Sequence, residues 1–293
     1  MKRYDNHIHL RTLEVCPDRL LSELNRAGIW GANVLSLSPK GFSISQDTPD
    51  YEERIRHVLR FCENQRDRLF PFLWIHPDED GILSKVDDAV DRGIMGFKII
   101  CNNFFVYEEK SMRLLERIAK ADKPILFHSG ILWDGQVSSA FNKPINWECC
   151  LEIPNLRFAL AHCSWPWYDE CIALYGKFLN ALTKRDDITA EMFIDITPST
   201  PPIYRKDLLY KLHCIGYDIQ NNLLFGTDCR ADDYNVDWSV QWQQRDDALY
   251  DELAIDEQTR GLIYGENLKR FLGISKNVVQ HKAQTADGRI EKH

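Results

Sequence analysis

Nowhere in these 293 residues does an apolar run approach about eighteen residues, so no segment is built to cross a bilayer as a helix. A secretory leader is not expected either, because MKRYDNHIHL has two basic residues with no hydrophobic segment behind them. The nine cysteines are scattered, and none stands in a C-x-x-C pair. An odd number without framework spacing reads as reduced, mostly buried thiols in a cytoplasmic protein, not as disulfides or a cysteine zinc site. Positive charge is scarce as well. Thirty-six basic against 44 acidic side chains leave a net −8, which argues against a nucleic-acid or anionic-membrane partner. No glycine-rich phosphate loop follows the first strand-like segment, and neither linker nor low-complexity stretch interrupts residues 1–274. What is present is an ordinary globular composition, 44% hydrophobic and 27% charged, in a chain long enough for one large barrel or two smaller domains.

One alternation recurs throughout: an apolar strand, a polar turn, then a helical pattern. Strands are expected over residues 4–10, 32–38, 69–76, 95–101, 124–128, 156–162, 192–197 and 223–228. Segments such as FALAH and LLFGTD stay apolar until their last residue or two, as do strands covered by helices on both faces. Between them, RLLSELNRAG, YEERIRHVLRFCENQ, ILSKVDDAVDRG, KSMRLLERIAKAD, WYDECIALYGKFLNALTK and RKDLLYKLHCIG read as helices, several stopped by glycine or a following proline. The stretch 239–272 is expected to hold two more. Eight strands at intervals of about thirty residues predict a single-domain α/β fold, a (β/α)8 TIM barrel over 1–274. A polar tail occupies 275–293.

In such a barrel, function belongs at the carboxyl ends of the strands. Strand one carries His7 and His9, whose side chains fall on one face because strand side chains alternate with period two. Strand four carries Lys98. Strand five ends at His128, strand six at His162 and strand eight at Asp228. Burying each of these groups without a partner would cost roughly 2 kcal/mol or more, and a shared metal ion would supply a partner for all of them. Asp228 has a competing role as a helix N-cap. Lys98 is equally readable as an ion-paired structural lysine. His76 reads as a loop residue, and His57 and His213 as helix residues.

This pattern, with the contexts GFKI, HSG, AHCSWP and FGTD and the final ENLKRFLGI, resembles the amidohydrolase superfamily of metal-dependent barrels. The likeness is greatest to its amidohydrolase-2 branch, which contains aminocarboxymuconate semialdehyde decarboxylase and related lactonases and hydrolases. The resemblance implies a mononuclear centre on His7, His9, His128 and Asp228, with His162 orienting substrate or serving as acid and base. In a binuclear variant, a carboxylated Lys98 would bridge two ions and His162 would join the second. It also implies a homo-oligomer.

Imidazole and carboxylate ligands with an open position suit a divalent metal, zinc first. Bound Zn²⁺ makes hydroxide available at neutral pH. Asp228 would take the water proton, and a protonated His162 would stabilise the oxyanion. Past the strand ends, Trp133, Asp134, Trp165, Trp167, Tyr204, Arg205 and Arg230 stand where loops could meet a substrate. Lys98, Arg205 and Arg230 together suggest a small, anionic molecule, with Trp165 beside it. The expected activity is hydrolysis of an amide, lactone or ester bond. The alternatives are non-oxidative decarboxylation at the same metal and a metal-free binding barrel.

Overall fold

β1 (Arg3–His9) is the strand about which the others are arranged. In the computed structural model, which describes residues 1–42 and 48–275, it pairs in parallel with β2 (Ile29–Leu35). The parallel order continues through β3 (Leu69–Trp74), β4 (Gly96–Ile99), β5 (Ile125–Phe127), β6 (Arg157–Leu160), β7 (Glu191–Asp195) and β8 (Leu223–Leu224). The eighth strand is broken. Its first piece, β8, pairs with β7, and its second, β9 (Cys229–Arg230), pairs with β1. The Asn6 amide donates to the Phe225 carbonyl at 2.9 Å and the Ala231 amide to the His9 carbonyl at 2.8 Å, so this segment closes the ring. The expected single-domain (β/α)8 barrel is the observed one.

Helices α1 (Pro17–Arg26), α2 (Tyr51–Cys62), α3 (Ile82–Asp91), α4 (Glu109–Lys120), α5 (Tyr168–Lys184) and α6 (Pro202–Cys214) follow the first seven strands, two short helical turns standing in for a helix after β5. β2 begins three residues before the sequence pattern suggests, because Ile29 and Gly31 already pair with β1. Where two helices were expected near the end, α7 (Val236–Glu252) is followed by one continuous helical stretch. It consists of α8 (Glu257–Gly261), a wider turn at Leu262–Glu266 and α9 (Asn267–Phe271). The tail beyond residue 275 lies outside the described residues.

Strand parity sorts the core into two layers. Val34, Leu73, Phe97, Phe127, Phe158 and Ile194 point outward under the helices. Phe70, Phe72, Leu126, Ala159, Phe193 and Leu224 point inward, and Leu268, Phe271 and Leu272 plug the amino-terminal mouth against them. The Phe271 ring lies 5.1 Å from Phe193 and 6.4 Å from Phe72. The plug closes this mouth, so among the described residues the barrel interior opens at the carboxyl-terminal one.

β1 itself breaks parity. Tyr4 packs inward and Ile8 outward although they are four residues apart, because the pairing with β2 slips between Asp5 and Ile8. The slip lets Tyr4 at the bottom and His7 and His9 at the top all face the interior. Two polar clamps hold it. The Asp5 carboxylate accepts from the His7 amide (3.0 Å), the Thr227 amide (3.0 Å) and the Thr227 hydroxyl (2.6 Å), and the Asn33 side chain donates to Asn6 Oδ1 at 2.6 Å.

Candidate metal centre

The same strand ends that carry the inner core lift polar groups to the mouth. His7 and His9 are almost fully buried there, and Asp228 lies above them at the break in strand eight with its side chain 38% exposed. Three ligand-type atoms converge. His7 Nε2 and His9 Nε2 are 3.2 Å apart, and Asp228 Oδ1 is 3.7 Å from the first and 3.3 Å from the second. Two nitrogens and an oxygen, each about 2.1 Å from one tetrahedral ion, would lie about 3.4 Å from one another. Among the described residues these are the three that gather closely enough to hold a metal. The donor set and its spacing fit a divalent ion.

Asp228 is no helix cap. The helix after it, α7, starts eight residues later and is capped by Asn235, whose side chain accepts from the Trp238 amide at 2.9 Å. Asp228 instead adopts left-handed backbone geometry (φ 59°), an unfavourable conformation for a residue with a Cβ, which aims its carboxylate back over the ring. His162 behaves alike. By parity after Ala161 its side chain belongs on the outer face, yet φ values of 60°, 43° and 58° at His162, Cys163 and Ser164 turn it into the mouth. Its ring centroid lies 5.3 Å from that of His7 and 5.0 Å from that of His128. Gly226 is required by close approach: a Cβ there would sit 2.1 Å from Thr197 Oγ1 and 3.0 Å from the His7 Cβ.

Sequence reasoning missed Asp195, which closes β7 and fixes the tautomer of His7. Its Oδ2 lies 3.0 Å from His7 Nδ1, and its Oδ1 accepts from the Thr197 amide at 2.7 Å and from the Thr197 hydroxyl. A proton on Nδ1 leaves the Nε2 lone pair facing the centre, the usual outer partner of a metal-bound histidine. A charged residue ending the apolar run MFID was the available signal.

Burial sets the protonation states. It holds His7 and His128 well below their ordinary value and His9 down at about 4, and it lowers His162 too. Neutral imidazoles are competent ligands, and burial works against the protonated His162 expected from sequence. Its Nδ1 faces the Thr197 carbonyl at 3.4 Å, which favours the proton there and a lone pair on Nε2. Burial pushes Asp228 up, but the hydrogen bond from His9 and the neighbouring imidazoles outweigh it and hold the carboxylate well below its usual range. Lys98, 1% exposed, is pushed down to about 8 by burial, and its Nζ lies 3.4 Å from His7 Nε2. Among the described residues it makes no ion pair, although the Asp228 and Asp195 carboxylates lie near enough to act on its charge.

The centre forms the floor of a cavity of about 500 Å³ lined by His7, His9, Lys98, His128, His162 and Asp228, with Arg11, Phe42, Trp74, Trp133 and Asp134 around them. A groove of about 640 Å³ near Arg157 and Glu191 is larger, but it sits before β6 and β7, at the wrong end of the barrel for chemistry. His128 is brought to the cavity but not into the three-atom cluster, since its Nε2 faces the Ile131 carbonyl at 3.2 Å. Three other expectations are corrected. Arg205 is buried and paired with Asp246 (2.6 and 2.8 Å) and the Ile196 carbonyl (2.7 Å), so its guanidinium faces the core. Arg230 turns outward to Asp232. Trp165 packs near Tyr204, ring centroids 5.9 Å apart, away from the cavity lining. His76 is buried and faces Asn102 and Asn103, while His213 packs edge-on against Tyr250. Among the described residues, no helix is long and apolar enough to cross a membrane.

Residues 41–274 match the family described as Amidohydrolase, a span that includes Lys98, His128, His162 and Asp228 but begins after β1. No curated protein matches the chain by sequence. Similar solved structures include a probable 2-pyrone-4,6-dicarboxylic acid hydrolase from Acinetobacter baumannii with citric acid bound (12% identity, 93% of this chain and 100% of that one, TM-score 0.61). A 2,6-dihydroxybenzoate decarboxylase complexed with 2,6-dihydroxybenzoate is as similar (15%, 93% and 98%, 0.61). An amidohydrolase 2 from Bifidobacterium longum subsp. infantis follows (14%, 94% and 100%, 0.56). At such identities the structures attest the shared barrel, and the family match carries the rest: this chain belongs to the amidohydrolase family.

Proposed function

We propose that this enzyme is a metal-dependent hydrolase that cleaves an amide, lactone or ester bond of a small anionic molecule. The observation that carries the reading is the convergence of His7 Nε2, His9 Nε2 and Asp228 Oδ1 within 3.7 Å of one another, on the floor of the carboxyl-terminal cavity. One divalent ion, Zn²⁺ first, would be held by these three, with His128 able to join only through Nδ1 because its Nε2 faces the Ile131 carbonyl, and it would supply Lewis-acid activation of water and of the scissile carbonyl. A second ion on His162 and a carboxylated Lys98 is the binuclear form of the same site.

The protein's own groups do the rest. Asp195 holds the His7 proton on Nδ1 and thereby keeps Nε2 free. Asp228 turns Oδ1 to the imidazoles and leaves Oδ2 to take a proton from the attacking water and return it to the leaving group. Neutral His162 offers Nε2 as an acceptor that orients substrate. Lys98, buried without an ion pair among the described residues, offers its ammonium to an anionic group. Nine free cysteines among the described residues favour a reducing, cytoplasmic setting.

Decarboxylation of a small carboxylic acid is the second reading, favoured by the structural similarity to the 2,6-dihydroxybenzoate decarboxylase. One experiment addresses both. Protein stripped by chelator and reloaded with Zn²⁺ or Mn²⁺ is offered lactones, amides and aromatic acids in ¹⁸O-labelled water. Hydrolysis places the label in product and decarboxylation releases CO2. Full turnover by Asp228→Asn with metal still bound would sink the hydrolytic assignment.

A further inference from the structure

We infer that Arg11 is the residue that selects a carboxylate-bearing ligand, the role that sequence alone assigned to Arg205 and Arg230. Arg11 follows His9 by two residues, beyond the end of β1, and lines the cavity beside Asp228. Arg205 is spent on Asp246, and Arg230 on Asp232. Arg11 makes no hydrogen bond, ion pair or ring contact with any described residue, and the Asp228 and Asp232 carboxylates act on its charge only from a distance. The cavity's other acid, Asp134, is already engaged by the Gln136 amide and the Ser138 hydroxyl.

Arg11 and Lys98 are therefore the two cations of the lining, and neither has an anionic partner in contact. With a divalent ion on His7, His9 and Asp228, the lining carries surplus positive charge inside a chain whose formal net charge is −8. That contrast draws small anions to this one mouth. A planar guanidinium with its donors free matches a carboxylate edge to edge. Beside it stand the rings of Phe42, Trp74 and Trp133, the last 75% exposed at the rim, which offer flat apolar faces. The ligand class is a small, flat monocarboxylate. This inference rests on the cavity being the substrate site, but not on which bond is broken there.

The test is binding, read by titration calorimetry on zinc-loaded and zinc-free full-length protein, with benzoate and its neutral isostere benzamide as probes. Wild type is expected to bind benzoate about tenfold more tightly than benzamide, the worth of one charge-assisted pair. Arg11→Gln should abolish that preference while leaving benzamide binding intact. Arg11→Lys should retain part of it, and Arg230→Gln should change nothing. The inference is overturned if wild type shows no preference for benzoate. It is overturned equally if Arg11→Gln binds benzoate as wild type does, or if zinc removal alone erases the preference and Arg11→Gln does not. Because turnover is never measured, the result stands whether the reaction is hydrolysis or decarboxylation.

Discussion

Asp195→Asn changes one oxygen to an amide nitrogen and almost nothing in shape, yet the geometry predicts a large effect on the metal site. The wild-type carboxylate accepts on both sides: from His7 Nδ1–H at 3.0 Å and from the Thr197 amide and hydroxyl. Asparagine can accept on only one. If its oxygen keeps the two Thr197 donors, its NH2 faces His7 Nδ1 and forces the ring proton onto Nε2, where it blocks the ligand lone pair. If the amide turns over, its NH2 can donate to the Thr197 hydroxyl but meets the Thr197 backbone N–H head-on, which costs about 1–3 kcal/mol for buried groups left unpaired. Either way, the free energy of holding His7 in its ligating form rises. Losing such an outer partner weakens metal binding about 10–100-fold, or roughly 1.4–2.7 kcal/mol. The assay is competition for Zn²⁺ against a chromophoric chelator at fixed pH, with thermal melting alongside to confirm folding. Affinity for zinc within twofold of wild type, in a folded variant, would refute the tautomer argument.

Gly226→Ala should lower stability by about 1–3 kcal/mol in a urea titration, because the new methyl group would meet Thr197 Oγ1 and the His7 Cβ in a packed interior. Arg205→Met should leave Asp246 buried without its counter-ion and cost about 3–5 kcal/mol of stability, while KM of the folded fraction stays unchanged. A raised KM with unchanged stability would restore Arg205 to the site. His213 is held neutral by burial down to about pH 4, whereas in the unfolded chain it binds its proton near 6.5. Its contribution is complete above pH 6.5 and falls away as pH drops through that window to about 4, by up to about 3 kcal/mol. His213→Gln should flatten the acid limb of a stability–pH profile, and an unchanged limb would mean that the imidazole is solvated.

Local patterning determined much of this protein. Apolar runs closed by His128, His162 and Asp228 were enough to count the strands, predict the barrel and name most of the groups at its mouth. Such groups are legible because an ionisable residue ending a buried strand needs a partner, and the sequence displays that need directly. Asp195 is legible by the same rule, but the apolar pattern runs on to Thr197, two residues past the end of β7, and so hides the strand end that Asp195 marks. Other assignments required tertiary structure. Period two alone places His7 and His9 on the same face, but only the slip between Asp5 and Ile8 makes that face the inner one. His162 reaches the cavity only through the left-handed turn that follows β6, against its strand parity. Arginine is charged wherever it stands, so the sequence cannot say which guanidinium is free: Asp246 lies 41 residues from Arg205, and only folding brings them together. Partnering is a long-range property of the chain, and it separates a structural charge from one left available to a ligand.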